Sequence, residues 1–151
     1  MTNGSARENA LHATVVLIGE VGVLIRGDSG AGKSRLAQAV IADTQRRGGF
    51  ARLVGDDRVM VSATHGVLVA RPHPAIAGLI EERGSGLLRV DYEPAARLAC
   101  VVDIVSAANG PARLPHPEET EIVGVRLPKM ALRSSVGPDE GARRLWRFLN
   151  P

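Results

Sequence analysis

Cysteine is nearly absent from this 151-residue chain: Cys100 stands alone, so no internal disulfide can form. A reducing compartment is therefore the default expectation. In its apolar setting, "LACVVDIV", the thiol reads as a small buried filler rather than a nucleophile. Aromatic side chains make up only 3%, too few to build stacking platforms for single-stranded nucleic acid. The net charge of +3 is small and dispersed; it suits an acidic ligand but argues against nucleic acid as a partner. No apolar run approaches the roughly 18 residues of a membrane helix. The opening "MTNGSARENALHA" has no basic end leading into an apolar stretch, so no secretion signal is expected. These absences predict a cytoplasmic protein with no membrane contact. The length predicts one domain, 1–151.

Glycine, by contrast, is plentiful, with 17 residues. The segments "ATVVLIG" and "GVLIRG" read as buried strands joined by a turn near Gly19 to Gly22. Leu36, Ala37, Val40 and Ile41 recur at helical spacing within the run Lys33 to Arg47, and Gly48-Gly49 stops that helix. "FARLVGDDRVMVSAT" reads as a strand ending at an acidic pair and then a second strand, with "HGVLVAR" as its return arm after a turn at His65-Gly66. Pro72 and Pro74 break the pattern; "PAIAGLIEERGSGLLRV" then moves from a short helix or loop to a strand after Gly86. "RLACVVDIVSA" is another buried strand and "NGPARLPHPEE" a loop. "TEIVGVRLPKMAL" reads as one further strand, interrupted by Pro128. From Pro138 an amphipathic helix turns Leu145, Phe148 and Leu149 inward and leaves Arg143, Arg144 and Arg147 as a solvated face.

The stretch "IRGDSGAGKSRLAQ" carries the chemistry. Gly27, Gly32, Lys33 and Ser34 satisfy G-x-x-x-x-G-K-[ST] between an apolar strand and an amphipathic helix. In such a loop, Gly27-Asp28-Ser29-Gly30-Ala31-Gly32 lets backbone N–H groups converge on phosphate oxygens. Lys33 reaches the outer phosphates, the Ser34 hydroxyl suits Mg²⁺, and the helix dipole favours the same anion. A nucleoside triphosphate or other polyphosphate is the expected ligand. Transfer chemistry further needs a metal-side acid and a group that orients the nucleophile. Asp56-Asp57 after "ARLVG" is the stronger candidate; Asp103 in "CVVDIV" reads as a partnered strand acid. No N-K-x-D signature supports a GTPase. On pattern alone, His12 is an ordinary strand-edge histidine, Glu81, Glu82 and Arg83 are a surface cluster, and His65, His73 and His116 are surface residues.

With these pieces in order, the chain resembles the catalytic domain of HPr kinase/phosphorylase, the bacterial enzyme that phosphorylates a serine of the phosphocarrier HPr. The likeness rests on "HATVVLIGEVGVLIRGDSGAGKS", "RLVGDDRV", "LIEERGSGLLRV" and "ARLPHPEETEIVGVRLPKMAL", and covers Leu11 to about Leu132. It implies an α/β fold, a mixed sheet around a P-loop similar to phosphoenolpyruvate carboxykinase. It also implies ATP and Mg²⁺ as cofactors. Residue by residue, the resemblance implies that Lys33 binds phosphate, Ser34 and Glu81 hold the metal with Asp56 beside it, and Asp57 is the base. It implies functional roles for His12 and Arg83, and an Arg113 that stabilises charge on the transferred phosphoryl group.

Departures accompany the likeness. Arg35 stands where the family usually has glutamate, and "SSVGPD" puts Pro138 where the stretch associated with phosphate removal ends in arginine. The family's N-terminal domain and its last strand and helix are not in this sequence. The reverse phosphorylase reaction and the usual hexamer are therefore not favoured, although a homo-oligomer remains an expectation. The short form resembles truncated alphaproteobacterial members, which implies regulatory phosphotransfer more than sugar uptake. The alternatives are a P-loop kinase or phosphatase of another substrate, and a non-catalytic ATP sensor that partners a two-component system.

Overall fold

The computed structural model describes residues 7–82, 84–106 and 118–151. The chain begins with β1 (Arg7–Leu11), followed by the antiparallel hairpin β2 (Thr14–Ile18) and β3 (Val21–Arg26). Helix α1 (Lys33–Arg46) leads back to β4 (Ala51–Gly55), which pairs with β2. A second hairpin, β5 (Val59–Thr64) and β6 (Val67–Pro72), turns at His65-Gly66. A 3₁₀ turn (Pro74–Ile76) precedes a small separate hairpin, β7 (Leu79–Glu82) and β8 (Gly86–Arg89). The long strand β9 (Ala96–Val105), the pair β10 (Glu118–Ile122) and β11 (Val125–Arg133), and helix α2 (Pro138–Leu149) complete the order.

Among the described residues, nine strands form one mixed sheet in the order β1-β5-β6-β9-β3-β2-β4, with β11 also on β9 and β10 on β11. The pairings β3–β9 and β9–β11 are parallel; the others in this sheet are antiparallel. β9 joins the parts: it pairs with β6 at Ala96 and Arg97, with β3 from Leu98 to Asp103, and with β11 from Val101 to Val105.

Strand alternation sends neighbouring residues into different cores. Val15, Leu24, Val54 and Val101 enter a core built from strands alone. Their neighbours Val16, Val23, Leu53 and Val102 enter a second core, shared with Leu36, Ala37 and Val40 of α1 and Ala142 and Leu145 of α2. Burial on both faces is why these strands read as continuous apolar runs. Gly141 permits the helices to close: a Cβ there would lie 2.9 Å from Leu36 Cδ1. Cys100 is buried at 2% exposure, and burial pushes its thiol up to about 12, as a filler residue requires. None of the helices among the described residues is long and apolar enough to cross a membrane.

Four expectations change. "TEIVGVRLPKMAL" is a hairpin rather than one interrupted strand, since the chain reverses at Val123-Gly124, both left-handed. Pro128 lies within β11 opposite Glu119, one residue before pairing with β9 begins at Lys129, so its missing N–H removes no bond from that ladder. The stretch before Gly86 contains strand β7, and β1 forms where no strand was expected. Of the expected loop "NGPARLPHPEE", Glu118 and Glu119 belong to β10, and the rest lies outside the described residues.

Candidate active site

Gly30 and Gly32 adopt φ of 81° and 106°, and a Cβ built on either would meet nothing within 4 Å. Their backbones are thus both left-handed and open to the cleft, a geometry glycine allows without strain. α1 starts from Gly32 with no side-chain cap and no acid in its first turn. Its first N–H groups have no acceptor among the described residues, so the helix end is suited to an anion. Lys33 folds beneath the loop, 5% exposed, and its Nζ donates to the carbonyls of Gly27 at 3.0 Å and Asp28 at 3.3 Å. A cation already desolvated and held by two carbonyls is positioned for a phosphate.

The acids arrive from β4. Pairing of β2 with β4 sets Val15 opposite Gly55, with a register shift before Val16, so Thr14 comes beside Asp56. Gly55 makes the turn possible, because a Cβ there would come within 2.7 Å of Val59 Cγ1 and 3.2 Å of Pro72 Cα. Asp56 is 4% exposed and accepts three bonds: from Ser34 Oγ at 2.7 Å, from Thr14 Oγ1 at 2.9 Å, and from the Glu81 N–H at 3.1 Å. The Ser34 hydrogen is committed to Asp56, which leaves the hydroxyl lone pairs for a cation.

Asp57 takes the left-handed conformation, φ 65°, which carries its side chain away from Asp56. His12 Nε2 donates to Asp57 Oδ1 at 2.7 Å, and Lys33 Nζ lies 4.0 Å from the same oxygen. The Asp57 N–H donates to Thr14 Oγ1 at 3.2 Å. One hydroxyl therefore braces both acids. The cleft above them, about 560 Å³, is lined by Ser29, Gly30, Lys33, Ser34, Asp57 and Glu81 among others.

The fold thus gathers His12, Lys33, Ser34, Asp56, Asp57 and Glu81; of Glu81, the backbone N–H makes the bond while the side chain is exposed. Arg83, Arg113 and His116 lie outside the described residues. Asp103 is partnered as expected, accepting from Arg26 at 2.7 Å and lying 3.3 Å from Lys129. Among the described residues, no group of three or more His, Cys, Asp or Glu is placed to hold a metal. A hydroxyl and separate carboxylates suit Mg²⁺ instead, which keeps waters and phosphate oxygens rather than an all-protein cage. Sequence reasoning passed over Thr14 and Gly55. Thr14 had a readable signal: it is a hydroxyl in an otherwise apolar run.

A mixed α/β sheet of this kind is found in the structure of the Hpr(Ser) kinase/phosphatase from Coxiella burnetii. The match has a TM-score of 0.75 and covers 95% of this chain and 99% of that one at 22% identity, a likeness of fold. Residues 3–139 match the family model of the HPr Serine kinase C-terminal domain, and the chain belongs to that family. It is similar to the HPr kinase/phosphorylase of Clostridium beijerinckii, 39% identical over 56% of this chain and 26% of that protein. The HPr kinase/phosphorylase of Clostridium tetani is 36% identical over 66% of this chain and 30% of its own length. The chain therefore spans under a third of the curated relatives it matches.

Proposed function

We propose that this chain is an ATP- and Mg²⁺-dependent protein serine kinase whose acceptor is an HPr-type phosphocarrier. The observation that carries this reading is the convergence of Ser34, Asp56, Asp57, His12 and Lys33 on one cleft, from segments up to 45 residues apart. The backbone of Gly27 to Ser34 would hold the donor's phosphates, with Lys33 neutralising the outer ones. Ser34, Asp56 and Glu81 would hold Mg²⁺, which supplies charge neutralisation for the phosphate oxygens.

Asp57 is the base. Its Oδ1 is taken by His12, and Oδ2 remains for the acceptor hydroxyl. The serine oxygen forms a bond to the terminal phosphorus as the bond to the bridging oxygen breaks; the hydroxyl proton passes to Asp57 and ADP leaves. His12 fixes the Asp57 carboxylate in position, and Arg83 and Arg113 are the expected cations for the transferring group. The departures around Arg35 and Pro138 support forward transfer over the phosphorylase reaction.

Labelled ATP, Mg²⁺ and the cognate HPr provide the test. Label is expected on an HPr serine, and Asp57→Asn should lose about 10²-fold or more in transfer while still binding nucleotide. Unlabelled HPr under conditions where nucleotide binds would reject the reading, and label appearing on a small molecule instead would redirect it to another acceptor.

A further inference from the structure

Arg35 lines the cleft, yet the reaction above gives it no task. It is the third residue of α1, exposed, and makes no hydrogen bond or ion pair among the described residues. The other arginines at the helices are partnered. Arg46 and Arg47 bond Asp43, while Arg143, Arg144 and Arg147 bond Glu140. A cation in the first turn also faces the positive end of the helix dipole, where it is unfavourable unless an anion joins it. An unpaired guanidinium in that position, on the wall of a cleft, calls for a negative ligand.

Its direction narrows the ligand. At about 100° per residue, Arg35 leaves the helix roughly 200° round from Lys33. Lys33 is held under the loop on the Asp57 side. Arg35 also lines a small pocket with Leu132, Ser134 and Gly137, on the side of β11 and α2. The Cα atoms of the two residues stand on opposite sides of the helix end, about 5 Å apart, and their charged groups diverge from there. The cleft's acids, Asp57, Glu81 and Glu82, lie on other segments. A lone orthophosphate seated in the loop meets Lys33; a chain of linked phosphates crossing the helix end away from Asp57 also reaches Arg35.

We propose that Arg35 is a second phosphate-gripping cation, which holds the phosphates of the donor that are not transferred and so selects polyphosphate donors over orthophosphate. This rests on the phosphate-loop reading of the site. The fork of a guanidinium suits two oxygens on one phosphate or on adjacent ones.

Calorimetric titration of wild-type and Arg35→Gln protein with ADP, pyrophosphate and inorganic phosphate, in buffer containing Mg²⁺, tests it. Arg35→Gln should weaken ADP and pyrophosphate about tenfold, the scale of one charge-assisted hydrogen bond, and leave orthophosphate unchanged. Its ligand-free Tm should equal or exceed that of wild type, because the mismatch with the helix dipole is removed. Wild type binding ADP no more tightly than Arg35→Gln does would overturn this assignment alone, as would an equal loss for orthophosphate. Wild type binding none of the three would overturn the phosphate-loop reading along with it.

Discussion

At the scale of single residues, Thr14 illustrates how much a neutral side chain can organise. Its hydroxyl donates to Asp56 and accepts from the Asp57 backbone, while the residue itself is fully buried. Thr14→Val keeps the shape, removes one of the three bonds to Asp56 and leaves the Asp57 N–H without its partner, so it should cost about 1–3 kcal/mol, the penalty for a polar group left unpaired. Thr14→Ser, which restores the hydroxyl, should recover most of that. Urea melts of the two variants measure it, and equal stability of Thr14→Val and wild type would contradict the bracing role. His12 and Asp57 show a similar economy. Each is individually an exposed surface residue, and only their contact across 45 residues gives them a chemical meaning.

At the scale of elements, the two helices are joined by a clasp at the far end of α1. Asp43 is 7% exposed and accepts from Arg47 and Arg46; the Arg47 guanidinium lies 4.1 Å from the Trp146 ring centre on α2. The hydrogen bond from Arg47 holds the Asp43 carboxyl below its ordinary value, outweighing the opposite push of burial. A depressed carboxylate pKa contributes stability above its unfolded value, roughly 3.9, which is lost as pH falls through the folded value. Asp43→Asn should therefore be less stable than wild type at neutral pH, and the gap should begin to close as pH falls below about 4, vanishing once pH passes the folded value. Thermal melts from pH 7 to pH 2.5 follow both curves; a constant gap between them would refute the linkage. The elements that sequence patterns missed have equally local reasons. β7 spans only four residues, too few for a period to emerge. β1, "RENAL", is polar and becomes a strand because the edge of β5 is there to pair with. The β10–β11 turn hides because Val123 takes φ 46°, a conformation a β-branched residue rarely adopts.

For the whole molecule, the sharing of strands between two cores has a thermodynamic consequence. β3 sends Leu24 to the strand-built core and Val23 and Ile25 to the helix-covered one; β9 divides Val101 from Cys100 and Val102 in the same way. Neither core can lose its strands without exposing the other. Leu24→Ala and Leu145→Ala, one from each core, should each destabilise by about 2–5 kcal/mol. Both should shift a single transition, coincident by circular dichroism and Trp146 fluorescence. Separate transitions for the two variants would show that the cores unfold independently.

What the sequence determined alone is local: the glycine loop, the helix behind it, most of the strands and the acidic pair at the end of β4. These depend on backbone preferences and apolar periodicity within a dozen or so residues, which any reader of the chain can follow. The family resemblance added an ordered set of site residues, of which His12, Lys33, Ser34, Asp56, Asp57 and Glu81 do meet in the fold. Only the tertiary structure decided how they meet: that Asp56 bonds Ser34, that Thr14 braces both acids, and that Arg35 is left on the cleft wall without a partner among the described residues. Those contacts follow from the register of β2 against β4 and from a left-handed turn at Asp57. A register is a choice among pairings of distant segments, fixed by how all the strands bury their faces together, and no short stretch of the chain carries that information.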